Sequence, residues 1–390
     1  MSRIDDLIAD LCPDGVEYRR VGDAFSVVPT PPGIPRSKYS DGSTIPIVDQ
    51  GAGLVAGRTD DATCAVAPGE YVVFGDHTRA VKWVDFTFAV GADGTKVLAA
   101  RERLLPRFGY FALASLVIPS RGYNRHWTVV REMKIPVPPE PLQREIVRVL
   151  DQFVELEAEL EAELEARRQQ YAHYRDALLT FAERGAVRRI RMSELGTLFG
   201  GLTGKSKADF ADEGARYVSY TNVFNNIATR LDLDDFVRVG SGEKQRGLAR
   251  GDVLFTGSSE TVAEVGMSSV VVDDPSEQVY LNSFCIGFRP FDPSALRPEF
   301  AKHLFRSRPV RDQIVKTASG VTRFNVSKAR LAQVSVPIPA PSDQMRLAGT
   351  LDTFDALVND LSVGLPAELA ARRAQYAYYR DRLLTFQEAV

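Results

Sequence analysis

Ala166-Arg-Arg-Gln-Gln-Tyr171-Ala-His-Tyr174-Arg-Asp-Ala-Leu-Leu-Thr-Phe181 recurs as Ala371-Arg-Arg-Ala-Gln-Tyr376-Ala-Tyr-Tyr379-Arg-Asp-Arg-Leu-Leu-Thr-Phe386, identical at 13 of 16 positions at an offset of 205. A match of that length is an internal duplication, and it makes the chain two copies of one architecture. Upstream, Pro136-Val-Pro138, Gln143, Leu150-Asp151 and Phe153 match Pro337-Ile-Pro339, Gln344, Leu351-Asp352 and Phe354 at an offset of 201, so the second copy has gained four residues. Near the start of each copy Val21-Gly-Asp-Ala-Phe25 parallels Leu195-Gly-Thr-Leu-Phe199, and Gly69-Glu-Tyr-Val-Val-Phe74 parallels Gly251-Asp-Val-Leu-Phe255. Each copy is a variable block followed by a near-constant one.

The constant blocks read as helices. Ile146, Leu150, Phe153, Leu156, Leu160, Leu164, Tyr171, Tyr174, Leu178 and Phe181 fall mostly three or four apart and form one apolar stripe. Prolines 136, 138, 139 and 141 block an earlier start. A helix over 141–181 is about 60 Å long at ~1.5 Å per residue. Gly364-Leu-Pro366 predicts a kink or break in the second copy. A stripe this long needs a partner, and its own repeat, packed antiparallel, is the simplest one.

The variable blocks read as compact α+β lobes. Ile45-Pro-Ile-Val48, Tyr71-Val-Val-Phe74, Ala80-Val-Lys-Trp83, Ser269-Val-Val-Val272 and Val279-Tyr-Leu281 are short β-branched or aromatic runs bounded by turn residues. Helical patches follow at 107–116 and 298–315. The fold class is therefore α+β, with two lobes separated by two long antiparallel coiled-coil helices in a pseudo-twofold tandem repeat. The expected divisions are lobe 1 over 1–138, a central helix over 139–184, lobe 2 over 185–339 and a distal helix over 340–390.

Composition bounds the chemistry. The chain has 390 residues, 44% hydrophobic and 25% charged, in the range of a soluble multidomain protein. Its longest nearly uncharged apolar run, 110–119, is half the ~20 residues of a membrane helix, and its acidic start is unlike a signal peptide, so a cytosolic location without membrane contact is expected. Cys12, Cys64 and Cys285 form no CxxC pair, which supports neither a disulfide framework nor a zinc ribbon. The net charge of −3 hides a pattern: −3 over 1–16, +3 over 17–135, −5 over 136–184, +4 over 188–335 and −2 over 336–390. Only the two lobes would welcome a polyanion.

Catalytic signatures are weak. Gly200-Gly-Leu-Thr-Gly204-Lys205-Ser206 has three residues between the outer glycines of its candidate loop where a phosphate-binding loop has four, and Gly91-Ala-Asp-Gly94 reads as a turn. His77 beside Asp76 could do acid–base or metal chemistry, and a nuclease on that pair is one reading, but the matching loop 256–261 has no histidine. No nucleophile elbow is present. Loops rich in Arg, Asn, Ser and Thr at matched places in two basic lobes fit groove reading instead. The candidate DNA contacts are Asp76, His77, Thr78, Arg79, Asn124 and Arg125 in lobe 1. In lobe 2 they are Lys205, Lys207, Tyr220, Thr221, Asn222, Ser258, Ser259, Thr322 and Arg323. A protein-binding scaffold with two adhesive lobes on a rigid spacer is the competing reading.

Two lobes, each closed by Pro-Val-Pro or Pro-Ile-Pro and followed by a Gln-anchored helix ending Ala-Arg-Arg-x-Gln-Tyr-x-x-Tyr-Arg-Asp-x-Leu-Leu-Thr-Phe, resemble the specificity subunit of a Type I restriction–modification enzyme. The resemblance covers essentially the whole chain. It implies that each lobe is a target-recognition domain reading half of a bipartite site on double-stranded DNA, and two dissimilar lobes imply an asymmetric site. It further implies that the helices set the spacer and dock two methyltransferase subunits, with Arg167, Arg168, Tyr171, Tyr174, Arg372, Arg373, Tyr376 and Tyr379 as spacer and docking residues. Restriction subunits join some complexes of this kind. S-adenosylmethionine, ATP and Mg²⁺ would belong to the partners, so a non-catalytic chain with no cofactor and no metal is expected. Glu155-Leu-Glu-Ala, repeated three times to Ala166, would act as a ruler, each unit adding about 6 Å and ~40° beyond a full turn.

Overall fold

The computed structural model describes all residues except 1–2, 121, 123, 182–186, 361 and 390. The chain forms two units: Met1–Glu161 with Glu368–Val390, and Ala162–Ala367. The division does not fall at the ends of the helices. Each unit instead holds one lobe, the first part of the helix that follows that lobe, and the last part of the other helix.

In the first unit, lobe 1 has two four-stranded sheets. One is antiparallel, in the order Phe25–Val27, Thr95–Ala100, Tyr71–Gly75, Val81–Val84. The other runs Gly57–Thr59, Ile45–Val48, Phe88–Val90, Ala65–Val66, with a parallel central pair. Lobe 2 repeats the plan. Gly196–Gly200, Cys285–Pro290, Val253–Thr256 and Ser268–Val270 make the antiparallel sheet. Phe210–Ala211, Phe236–Val237, Ala215–Val218 and Tyr280–Leu281 make the mixed one, again with one parallel pair. Lobe 2 adds a three-stranded sheet of Ser258–Ser259, Phe324–Val326 and Ala318–Ser319.

The structure shifts one part of the repeat register. The helical turn Val21–Ala24, whose first two amides donate to Met133 and Arg131 carbonyls, has its counterpart in Met192–Leu195, whose first two donate to Val334 and Ala332. The sequence pairing of Val21 with Leu195 is therefore three residues out. Backbone hydrogen bonding fixes this turn, and a shared Gly-containing pentapeptide does not report it.

The central helix runs unbroken over Glu140–Leu178, close to the expected span. The distal one is two helices, Pro341–Asn359 and Leu365–Leu383, with the break at the Gly-Leu-Pro segment as expected. Residues 298–315 likewise divide into Pro298–Leu304 and Arg308–Val315.

Each helix is fastened to its lobe by a buried glutamine. Gln143 Oε1 accepts from Leu105 N–H at 2.8 Å, while its Nε2 donates to the Arg103 and Pro138 carbonyls, each at 2.7 Å. Gln344 does the same with Arg297 N–H at 2.9 Å and the Ala295 and Pro339 carbonyls at 3.0 Å. The side chain meets main-chain groups left over where the proline-rich segment turns into helix. Beside Gln143 the helix buries Leu142, Ile146 and Leu150 in the core built by Phe25, Phe74, Phe108 and Phe111. Gln143→Leu keeps the volume and orphans three main-chain groups, so a loss of about 2–3 kcal/mol is expected in denaturant unfolding.

The helix pairing in the first unit is antiparallel. Phe153 stacks on Tyr379 at 5.5 Å between ring centroids, and one turn on, Glu157 Oε1 accepts from Arg373 Nε at 2.6 Å. Glu161 also pairs with Arg373. The second unit has the same ring pair from the repeat partners, Tyr174 on Phe354 at 5.7 Å. The end of the chain closes on its beginning within the first unit: Tyr18 donates to the Phe386 carbonyl at 3.1 Å, and Val16 bridges Glu388. Among the described residues no helix is long and apolar enough to cross a membrane.

Candidate nucleic-acid interface

In lobe 1 the turn after Tyr71–Gly75 and the loop before Trp127 are tied together. Asp76 is buried. Its Oδ1 accepts from Trp127 N–H at 2.7 Å, and its carbonyl accepts from His126 N–H at 2.9 Å. Asp76 thus holds the two loops in register with its carboxylate turned inward, away from the role expected of it in DNA contact or acid–base chemistry. Around this brace His77 Nε2 and Arg125 Nη2 each lie 3.9 Å from Asp93 Oδ1. The His77 amide donates to Gln50 Oε1 at 3.3 Å and Thr78 Oγ1 donates to the Gln50 carbonyl. Arg79 adopts a left-handed φ of 66° and donates to the Ile118 carbonyl at 3.0 Å. Asn124 and Arg125 are exposed. Tyr123, the residue before them, lies outside the described residues.

Sequence reasoning missed Asp93, read only as part of a turn, and Gln50, which is 27 residues from the His77 amide it caps. It also missed Lys82, buried in a strand, whose Nζ donates to the Asp49 carbonyl at 2.7 Å. Burial pushes the Lys82 ammonium below its ordinary range, with the Asp49 carboxylate opposing that.

Lobe 2 gathers three of its candidates. Tyr220 Oη donates to the Ser258 carbonyl at 2.7 Å, and Arg323 donates to Ser258 Oγ from Nε at 3.1 Å and Nη2 at 2.9 Å. Ser259 is buried beside them, and Thr221 and Thr322 are exposed. Asn222 is turned inward: its Nδ2 donates to the Arg230 carbonyl at 2.7 Å and its Oδ1 accepts from Arg230 N–H at 3.2 Å. Lys205 is also withdrawn, its side chain nearly enclosed and its Nζ 2.6 Å from Glu243 Oε2. The hydrogen bond from Lys205 pulls the Glu243 carboxyl down to about 2. Lys207, two residues on, is exposed and opens a short 3-10 turn.

The candidate docking residues on the helices divide similarly. Tyr171 is buried and Tyr376 half-buried, each against the lobe of its own unit. Tyr174 and Tyr379 stack on Phe354 and Phe153. Arg167 pairs with Glu163 and Arg372 with Glu368, both near the surface, and Arg168 is exposed. Arg373 is occupied by Glu157 and Glu161.

The sequence model of the Type I restriction modification DNA specificity domain matches residues 13–166 and again 188–371. The chain is 29% identical over 368 residues to the EcoR124I/EcoR124II type I restriction enzyme specificity subunit of Escherichia coli, covering 89% of this chain and 88% of that one. It is 26% identical over 355 residues to a putative type I restriction enzyme specificity subunit of Haemophilus influenzae, covering 82% and 83%. In fold it is similar to a chain from a study of complex assembly and conformational transition in the type I R-M system, with a TM-score of 0.59, 18% identity and 96% and 98% coverage. The S subunit from M. genitalium is also similar, with a TM-score of 0.52, 15% identity and 95% and 96% coverage. Two matches of one domain model, falling on two lobes that repeat the same pair of sheets, place the chain in the type I restriction–modification DNA specificity family.

Proposed function

We propose that this chain is the non-catalytic DNA-reading subunit of a cytoplasmic type I restriction–modification complex. Each lobe reads one half of an asymmetric bipartite site. The repeated helices set the unread spacer and carry two methyltransferase subunits, and restriction subunits can join them. S-adenosylmethionine, ATP and Mg²⁺ serve the partners, not this chain. The observation that carries the reading is a repeated scaffold with unrepeated loops. The sheets, the glutamine fasteners and the ring pairs recur in both units, while the Gly75-Asp-His-Thr-Arg79 turn and the matching Thr256-Gly-Ser-Ser-Glu-Thr261 loop differ in sequence.

Of the loop residues, His77, Thr78, Arg79, Asn124 and Arg125 in lobe 1 and Lys207, Tyr220, Thr221, Ser258, Ser259, Thr322 and Arg323 in lobe 2 remain candidates for contact. Arg and Asn suit base edges; Lys, Ser and Thr suit phosphates.

Adenine-methylation mapping of DNA from cells expressing the chain with its cognate methyltransferase tests the reading directly. Two unlike short half-sites separated by a fixed unread spacer are expected, and absence of any bipartite motif refutes the proposal. Lobe charges of only +3 and +4 neutralise few phosphates. The isolated chain is accordingly expected to bind DNA weakly, and the assembled complex tightly with a steep salt dependence. Equal affinity of the two in a gel-shift titration would contradict this.

A further inference from the structure

Lobe 2 carries a hairpin that lobe 1 lacks among the described residues. Ala318 pairs with Val326 and Ser319 with Asn325, and the same strand pairs Asn325 with Ser258 and Phe324 with Ser259. Gly320-Val-Thr-Arg323 makes the turn. Gly320 has a φ of 148°, and a Cβ there would collide with the Arg323 carbonyl oxygen, so only glycine closes this turn. Val321 at the tip is 91% exposed.

Period-two alternation, continued one residue back from the strand Phe324–Val326 into the turn, puts Arg323 on the face of Asn325, and Ser258, directly across from Asn325, shares that face. The contacts agree: Arg323 donates to Ser258 Oγ, and Asn325 Nδ2 donates to the Arg323 carbonyl at 3.3 Å. Arg323 and Asn325 are both exposed. The guanidinium of this exposed residue is therefore held through Nε and Nη2 on Ser258 Oγ, which reduces the entropy lost on binding.

We infer that residues 318–326 are a groove-reading ribbon whose base contacts are Arg323, to a guanine, and Asn325, to an adenine, within the half-site read by lobe 2. This rests on the reading of lobe 2 as a DNA-binding lobe. The major groove admits a two-stranded β-ribbon; guanidinium matches guanine O6 and N7, and a carboxamide matches adenine N6 and N7. Alternate residues on a strand stand about 7 Å apart, and two base-pair steps span about 7 Å, so the two bases lie within about two steps of each other. Asn325 also falls 201 residues after Asn124, the offset that relates Pro136-Val-Pro138 to Pro337-Ile-Pro339, so both lobes carry an asparagine at this place.

The test uses the full chain with its methyltransferase partner and methylation mapping as readout. Asn325→Ala is expected to keep the lobe 1 half-site and the spacer, and to accept other bases at one adenine of the lobe 2 half-site. Methylation of those sites should rise about tenfold or more, the discrimination that a bidentate pair supplies. Arg323→Ala should do the same at a guanine within two steps. Arg323 also bonds Ser258, so if that variant loses all methylation, Asn325→Ala decides, since the Asn325 side chain donates only locally, to the Arg323 carbonyl, among the described residues. An unchanged motif in Asn325→Ala, or a uniform loss with no relaxed base, overturns the ribbon assignment. If the wild-type complex itself yields no bipartite motif, the functional reading falls, which is a different failure.

Discussion

A chain lacking residues 159–162 is expected to direct methylation to the same two half-sites with an unread spacer about one or two base pairs shorter, from a helical rise of ~6 Å per four residues against ~3.4 Å per base pair. The central helix passes without a break through this segment, so the deletion shortens a rod and does not merely tighten a loop. The repeat itself makes the deletion tolerable. With one Glu-Leu-Glu-Ala unit removed, Leu164 moves into the place of Leu160 and Glu165 into that of Glu161. Arg373 keeps two carboxylates, and the leucines keep their four-residue spacing, with the helix beyond the deletion turned by the ~40° that four residues exceed a full turn. Local helix packing is thus regenerated while the length changes, which a deletion of two or three residues does not achieve. Methylation mapping of the deletion mutant reads the spacer directly. An unaltered spacer with both half-sites intact would end the ruler interpretation.

The scaffold was legible because its signals are local and periodic. Ile45–Val48 is a strand with the bounds its β-branched run predicts, the prolines before Glu140 mark the helix start, and Gly364-Leu-Pro366 marks the break. The loops were legible as loops, but the direction of each polar side chain was not. Asp76, Asn222 and Lys205 look in sequence like their neighbours, yet each turns to a partner that proximity in sequence does not supply: Trp127 N–H, the Arg230 main chain and Glu243. Ser258–Ser259 has no apolar signal at all and becomes a strand only by pairing with Phe324–Val326, more than sixty residues away. Long-range pairing of this kind leaves no periodicity to read.

Replacing His303 by Phe is expected to cost about 2–4 kcal/mol at neutral pH, from one neutral and one charge-assisted hydrogen bond lost, and to remove an acid-sensitive step in stability. The repeated helix ends are nearly identical in sequence but dock on unlike lobes. In the second unit Tyr171 Oη lies 3.0 Å from His303 Nδ1, and His303 Nε2 lies 2.6 Å from Asp352 Oδ1, which Lys302 Nζ also approaches at 2.7 Å. Neutral imidazole satisfies this arrangement: the phenol donates to Nδ1, and Nε2–H donates to the carboxylate. In the first unit the residue matched to His303 by the glutamine fasteners is Phe111, and Arg107 binds Asp151 while lying over the Tyr110 and Phe111 rings. The first junction therefore lacks an imidazole, and the second is built around one. Burial holds the His303 imidazolium below its ordinary range, and the charge of Lys302 acts the same way. The Asp352 hydrogen bond and the Asp352 and Asp355 charges only partly offset them. A histidine whose folded pKa lies below its unfolded value of about 6.5 contributes stability above that pH and loses it on acidification, at up to ~1.4 kcal/mol per pH unit. A cavity of about 760 Å³ lined by Tyr171, Lys302, Asp352 and Asp355 gives solvent a route to the network. Amide hydrogen exchange of residues 165–178 should show protection that falls between pH 7 and pH 5.5 in the wild type. In His303→Phe the protection should be lower at pH 7 and change little with pH, and an equal acid response in both proteins would remove His303 as its source.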